Sequence, residues 1–288
     1  MNLYEYDFSN IRLATVLATE RITPAEDPVE VKHLVLAVPE DDRLDYVEGQ
    51  SIAVLVPGPH DFGKPYHFRL YSIASPRQGE GGRAETFSIC VRRCYYVDEV
   101  SGERYPGLAS NYLCDAEEGD PIQIAGPYGS RFSVPDDPSA NLVMIGVGTG
   151  IAPFRAFVKH IYEEKGGWQG EVRLFYGAKT GMELLYMNDV RKDLSLYYDE
   201  KSFKAFEAVS PRPHFDVPPD LERVLSENAG DVWDLVRKPN TYVYIAGLSD
   251  AARNFRKAMI PQAGSAEAWD AVFNELVKEG RYSELLYE

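Results

Sequence analysis

The chain runs to 288 residues, 44% of them hydrophobic, with 45 acidic against 30 basic side chains and a formal net charge of −15 at pH 7. Such a length is more than one core needs and suits two domains of about 140 residues each, while the acidic excess argues against a nucleic-acid partner and confines any anionic ligand to a local basic pocket. No apolar run reaches the ~18 residues of a membrane helix, and the start, Met1-Asn2-Leu3-Tyr4-Glu5, lacks the pattern of a signal peptide, so a cytoplasmic protein with no integral membrane segment is expected.

Residues 1–11 read as a loose lead-in. Segments 13–19, 29–38 and 51–56 are rich in β-branched residues and separated by Pro, Asp and Gly, which predicts an antiparallel β domain. In the run Gly63-Lys64-Pro65-Tyr66-His67-Phe68-Arg69-Leu70-Tyr71-Ser72-Ile73-Ala74-Ser75, alternation puts Phe68, Leu70 and Ser72 on one face and Arg69, Tyr71 and Ile73 on the other. Arginine and tyrosine two apart on one face can hold a phosphate beside a flat ring, the arrangement a flavin nucleotide requires; an edge aromatic and a solvated charge are the plain alternative. Residues 76–83 form an exposed loop, and a strand at 86–93 ends in Cys90-Val91-Arg92-Arg93, whose two arginines point to opposite faces. Cys90, Cys94 and Cys114 are odd in number, with no CxxC pair and no completing histidine, so thiols are expected and no metal site. Residues 97–106 read as a polar turn, and 108–114 as a helix start with Ser110 as its N-cap and free amides for a second phosphate. A strand at 122–129 closes the β domain, and a linker at 135–139 divides the chain into domains 1–137 and 138–288.

Beyond the linker, 141–147 reads as a buried strand, followed by Gly148-Thr149-Gly150 and a helix over 151–164 with Pro153 in its first turn. Strand, tight turn and helix start suit a dinucleotide pyrophosphate, though such turns also occur as plain connections. Strands at 172–177, 204–210 and 241–246 then alternate with helical stretches at 187–194 and 220–236, as parallel crossovers do. Ligands of such sheets bind beyond the carboxyl ends of the strands, where Gly148-Thr149-Gly150, Val209-Ser210 and Gly247-Leu248 fall.

The segments Glu48-Gly49-Gln50-Ser51, Gly63-Lys64-Pro65, 69–75, 90–93, Ser110-Asn111-Tyr112-Leu113-Cys114-Asp115, Gly126-Pro127, 148–155, Leu184-Leu185-Tyr186, Ala208-Val209-Ser210, 240–244 with Gly247-Leu248, and Tyr287 stand in an order and spacing similar to plant-type ferredoxin–NADP(H) reductases. The resemblance covers nearly the whole chain. It implies two domains, an N-terminal antiparallel β-barrel for FAD and an α/β parallel-sheet domain for NADP(H), in an FAD-dependent oxidoreductase that exchanges electrons with ferredoxin or a similar iron–sulfur protein. Carried over by position, Arg69 contacts the FAD pyrophosphate, Tyr71 stacks on the isoalloxazine and Ser72 bonds its N5 edge. Leu70, Cys90 and Val91 are further cofactor positions, and Arg92, with Thr149, lies where the two cofactors converge; Tyr96 stacks on the adenine, and Ala109, Ser110 and Asn111 belong to the helix start that caps the pyrophosphate. Thr149, Gly150, Gly247 and Leu248 are nucleotide positions, and Tyr287 resembles the C-terminal tyrosine that covers the flavin until nicotinamide displaces it. Ser72, Tyr287 and Glu284 are the candidate catalytic residues.

Three departures bear on function. Ala246 replaces a cysteine that packs against the nicotinamide. Leu285 stands where the family has a glutamate, leaving Glu284 one residue away on the opposite face of an extended tail, and Glu288 beyond the tyrosine. Arg212 is displaced by one from the arginine that reads the 2′-phosphate, and a later Lys/Tyr pair is missing; Ser210 and Arg212, aided by His214, still favour NADPH over NADH. For an acidic ferredoxin, Lys64, Arg77 and Arg83 are the candidate basic patch. The alternative reading is an electron-transfer subunit, or the reductase component of an oxygenase, with an altered nucleotide site.

Overall fold

In the first half, alternation of apolar and polar residues yields strands: β1 (Ile11–Arg21), β2 (Val31–Ala37), β3 (Ser51–Pro57), β4 (Tyr66–Ser72), β5 (Thr86–Arg92), β6 (Tyr95–Val97), β7 (Arg104–Pro106) and β8 (Pro121–Tyr128). The computed structural model describes residues 6–58, 65–129, 132–198, 202–215 and 217–287. Gly63, Lys64 and Glu288 lie outside them, as does the side chain of His214. The chain divides into two units, Met1–Ser130 and Arg131–Glu288.

Six strands of the first unit form one antiparallel sheet in the order β4-β3-β8-β1-β2-β5. An antiparallel bridge between Ile73 and Ile89 joins its two ends, closing the predicted barrel. Every second residue points inward: Ala14, Val16, Leu34, Leu36, Ile52, Val54, Phe87, Ile89, Ile122 and Ile124 fill the interior, joined by Leu113 and Cys114 of α1 (Leu108–Asp115). Two expectations fail here. Residues 97–106 are not a plain turn: β6 and β7 pair as a ribbon, with Tyr96 stacked on Tyr105 at 5.4 Å and the Arg104 guanidinium 3.9 Å above the Tyr95 ring. Cross-strand aromatic contacts of this kind supply what the polar sequence lacks. Ser110 is not an N-cap, because the helix starts at Leu108 with Gly107 as its cap and Ser110 lies inside the first turn.

The second unit carries five parallel strands, β9 (Asn141–Val147), β10 (Val172–Ala178), β11 (Phe203–Val209), β12 (Thr241–Leu248) and β13 (Tyr282–Tyr287), in the order β11-β10-β9-β12-β13. Around them run α2 (Ala152–Lys159), α3 (Leu221–Glu227), α4 (Ala229–Val236), α5 (Asp250–Ala263) and α6 (Ala266–Lys278). On one face Val143, Ile145, Phe175, Val243 and Ile245 pack with Leu225, Val232, Phe255, Met259 and Trp269; Trp233 lies against Trp269 at 6.4 Å. Elsewhere in this unit Phe132, Phe154, Phe157 and Tyr244 form an aromatic cluster, and buried Trp168 donates its indole N–H to Ala140 O at 2.6 Å.

The predicted helices are interrupted. The expected helix over 151–164 is a 3-10 turn (Gly148–Ile151), then α2, then one π turn (His160–Glu164). The expected helix over 220–236 breaks at Asn228, whose side chain donates to Val224 O at 2.8 Å. Residues 187–194 form no helix. Asn188 Nδ2 donates to Met182 O at 2.7 Å and its Oδ1 accepts the Arg191 N–H at 3.1 Å, bonds that replace the helical ladder. The tail is a strand, with β13 parallel to β12. No helix among the described residues is long and apolar enough to cross a membrane.

Candidate functional site

In the barrel, the alternation of β4 sends Arg69 and Tyr71 to one face and Leu70 to the other, where Leu70 packs with Phe68, Tyr66 and Phe8 over Ala53 and Leu55. Arg69 and, on β5, Arg92 are exposed, and neither forms an ion pair among the described residues. Arg93 is spoken for: its guanidinium pairs with Glu30 at 2.7 Å and Asp115 at 2.8 Å and donates to Asn111 Oδ1 at 3.0 Å. The Arg93 hydrogen bond holds the Glu30 carboxyl below the usual carboxylate range. The half-buried Tyr71 ring packs against the barrel core; burial, then the neighbouring Cys94 and Cys114, push its phenol up, so it stays neutral. Burial likewise pushes the Cys114 thiol up to about 12, which leaves it unreactive. Ser72, half-buried, has its hydroxyl without a hydrogen-bond partner among the described residues.

Helix α1 begins beside the loop that follows β5. Ser110 Oγ accepts the Cys94 N–H at 3.1 Å and donates to Gly107 O at 3.2 Å; Asn111 Nδ2 donates to Cys94 O at 2.8 Å and Gly107 O at 2.9 Å. These side chains fasten the helix start and leave its first-turn N–H groups for an anion. A Cβ on Gly107 would stand 3.0 Å from Ser110 Oγ and 3.2 Å from Cys94 O. Ala109 and Cys90 are buried, and the Val91 side chain lies in the barrel core, so at that position only backbone is left for a ligand. Tyr96 is 57% exposed on its ribbon, an open platform for a flat base. Two uncompensated guanidiniums, a helix start, a neutral aromatic wall and an open tyrosine are a donor set that fits a flavin dinucleotide.

In the second unit the strand order reverses at β9 and β12, the place where open α/β sheets bind ligands. Gly150 and Gly247 meet there. A Cβ on Gly150 would lie 2.3 Å from Ala246 O, and Gly247 holds φ +125° with its own Cβ position 2.7 Å from Val147 O. Half-buried Thr149 stands between Gly148 and Gly150. Two strands away, the backbone N–H of Ser210 donates to Lys179 O at 3.3 Å, and buried Ser210 Oγ accepts the Arg212 N–H at 3.2 Å. Arg212 projects exposed, without an ion pair among the described residues. A diphosphate at the glycine turn and a further phosphate at Arg212 fit this edge.

Tyr287 stands in register with Leu248, 39% and 51% exposed, and Leu285 with buried Ala246. Glu284 is on the opposite face of β13 from Tyr287, with Ile245 in register, and accepts the Tyr282 hydroxyl. It is not brought to the tyrosine. A cavity of about 420 Å³ beside Arg237, Glu279 and Arg281 lies at the amino edge of the sheet, away from these residues.

Two roles escape the sequence, that of Glu48 and that of Tyr176. Arg77 is bound by Glu48, which is fully buried and takes the Arg77 backbone N–H at 2.7 Å and its guanidinium at 2.5 Å, and Arg83 pairs with Glu85 at 3.4 Å. The expected basic patch is thereby largely neutralised. Tyr176, buried in β10, bonds the glycine turn; a polar aromatic inside a fully buried strand was the available signal.

Residues 144–257 match the family model of the oxidoreductase NAD-binding domain. Over 281 residues the chain is 36% identical to the cyanelle ferredoxin–NADP reductase of Cyanophora paradoxa, covering 95% of this chain and 76% of that protein. Over 286 residues it is 34% identical to the ferredoxin–NADP reductase of Spirulina sp, covering 96% and 95%. The fold matches a solved structure of a variant ferredoxin–NADP+ reductase from Plasmodium falciparum in complex with 2′P-AMP, at a TM-score of 0.73 and 19% identity over 98% of each chain.

Proposed function

Because the chain belongs to the ferredoxin–NADP reductase family, we propose that it is an FAD-dependent oxidoreductase that moves electrons between NADP(H) and a one-electron carrier, ferredoxin or a similar iron–sulfur protein. The observation that carries this is the presence on one chain of two anion-binding donor sets, Arg69 and Arg92 with the α1 start in the barrel, and the Gly148–Gly150 turn with Arg212 at the carboxyl edge of the parallel sheet. The FAD domain is then the first unit and the NADP(H) domain the second, with the boundary at Ser130–Arg131, a few residues before the division at 137 and 138 expected from sequence.

FAD, when bound, supplies the exchange between a two-electron hydride and single electrons. Arg69 and Arg92 hold its diphosphate, and Tyr71 offers a neutral, flat wall whose phenol does not ionise at working pH. The Ser72 hydroxyl, without a partner among the described residues, can hydrogen-bond a ring nitrogen. Tyr96 stacks on the adenine. Amides of the Gly148–Gly150 turn receive the nicotinamide nucleotide's diphosphate, and Ser210 and Arg212 take its 2′-phosphate. Tyr287 serves as a movable aromatic cover that keeps water from the reacting ring. A protein of net charge −15, with Arg77 and Arg83 already ion-paired, offers an acidic carrier little charge attraction. A reducing, cytoplasmic setting fits the three unbridged thiols.

Buried Ala246 in register with Leu285, where the family has a cysteine and a glutamate, favours a second reading: a relay subunit, or an oxygenase reductase component, with an altered nucleotide site. Anaerobic stopped-flow absorbance of the FAD-loaded protein separates the two. Fast bleaching with NADPH and much slower bleaching with NADH is the expected result. Equal rates would strip Arg212 of its role, and no bleaching with either would favour the relay subunit.

A further inference from the structure

Strand β10 reads Val-Arg-Leu-Phe-Tyr-Gly-Ala and is buried along its whole length. Its Tyr176 is 0% exposed, and a phenol withdrawn from water needs partners. The hydroxyl donates to Gly148 O at 3.0 Å and accepts the Leu185 N–H at 3.1 Å. Glu183 O, at 3.4 Å, is the longer of two acceptors for the one proton, so the Gly148 bond takes it.

Gly148 opens the glycine turn with φ +56°, and nothing stands within 4 Å of where its Cβ would be. The turn is thus open on its Cβ side, and the Tyr176 bond is a side-chain contact that holds this peptide. In a trans peptide the C=O and the following N–H point to opposite sides. Drawing Gly148 O toward the Tyr176 hydroxyl turns the Thr149 N–H to the opposite side of the peptide, away from β10. Thr149 lies in the first turn of the 3-10 segment, where an N–H has no acceptor within the helix.

We propose that the Tyr176 hydroxyl is a positioning group for the diphosphate of the pyridine nucleotide: it orients the Gly148–Thr149 peptide so that the Thr149 amide faces the phosphates, and its second bond ties that turn to the loop carrying Leu184, Leu185 and Tyr186. This rests on the reading above that the glycine turn receives the NADP(H) diphosphate. Tyr176 touches no ligand itself. Its bonds also explain why a tyrosine stands in a strand that packing alone would fill with leucine or phenylalanine.

Tyr176→Phe keeps the ring and removes the hydroxyl. Calorimetric titration of the FAD-loaded, full-length protein with NADP+ and, separately, with adenosine 2′-monophosphate reads the effect; the second ligand lacks the diphosphate and engages only the Ser210 and Arg212 side. The Kd for NADP+ should rise about five- to tenfold, the worth of one or two ordinary hydrogen bonds, while that for adenosine 2′-monophosphate stays within about twofold. In steady-state turnover the KM for NADPH should rise by more than kcat falls. Unchanged NADP+ affinity overturns the proposal, and so does an equal loss for both ligands, which would mean general damage to the unit. If the wild-type protein itself binds adenosine 2′-monophosphate and not NADP+, the parent reading of the glycine turn falls, and the proposal with it.

Discussion

Arg212 carries an exposed charge with no counter-ion among the described residues, and Ser210 Oγ fixes the backbone from which it projects. Its guanidinium can pass from water to a phosphate without breaking an ion pair. Hydrogen bonds to charged groups contribute about 1.5–3 kcal/mol, so Arg212→Ala should raise the KM for NADPH about ten- to hundredfold and leave NADH nearly unchanged, as steady-state kinetics would show. Residues of this kind are legible in sequence, because a strand's period of two puts Arg69 beside Tyr71 and separates Arg92 from Arg93. What occupies Arg93 and Arg77 is not legible. Glu30 is 63 positions from Arg93, and Glu48 is 29 from Arg77, separations that only the closed barrel brings to contact. Ser110 misled for a related reason: its hydroxyl, apt for a cap, is taken by the Cys94 backbone sixteen residues earlier in the chain, so the cap passes to Gly107.

Although the short ribbon of β6 and β7 reads as a polar turn, the longer strands were legible, since apolar alternation and β-branched runs survive tertiary context. Helices were less so. The second unit's α5 contains Pro261 and ends at Gly264 in the left-handed region, and both signs of a break hide the spacing of Phe255 and Met259. Over 187–194 the opposite error arises, a helical pattern without a helix, because Asn188 satisfies Met182 O and the Arg191 N–H with its own amide. Removing that amide should loosen the whole segment. Asn188→Ala is expected to lower stability by about 0.5–1.5 kcal/mol, the net worth of an ordinary hydrogen bond. Limited proteolysis should then cut between Gly181 and Tyr198 sooner than in the wild type; an unchanged digestion rate would mean the loop is held by Tyr176 and its neighbours instead.

Across the whole molecule the acidic excess makes carboxylates the main pH sensors. The Arg93 hydrogen bond lowers the folded-state pKa of Glu30, and bonds from nearby serines lower those of Asp98 and Asp137. Depressed carboxylates add stability above their unfolded pKa values and lose it as pH falls through the folded ones. Urea denaturation midpoints should therefore hold steady near neutrality and drop below about pH 4. Arg93→Gln should lower the neutral plateau and reduce the acid-induced drop that follows. The division into two units also has an optical consequence. All three tryptophans, Trp168, Trp233 and Trp269, belong to the second unit, so indole emission is silent about the barrel, whose aromatic residues are phenylalanines and tyrosines. Selective excitation of indole follows the opening of the nucleotide half alone, while far-ultraviolet dichroism sums over both halves. The chain thus carries an intrinsic label, and any gap between the two traces measures how far its halves melt as separate cooperative bodies.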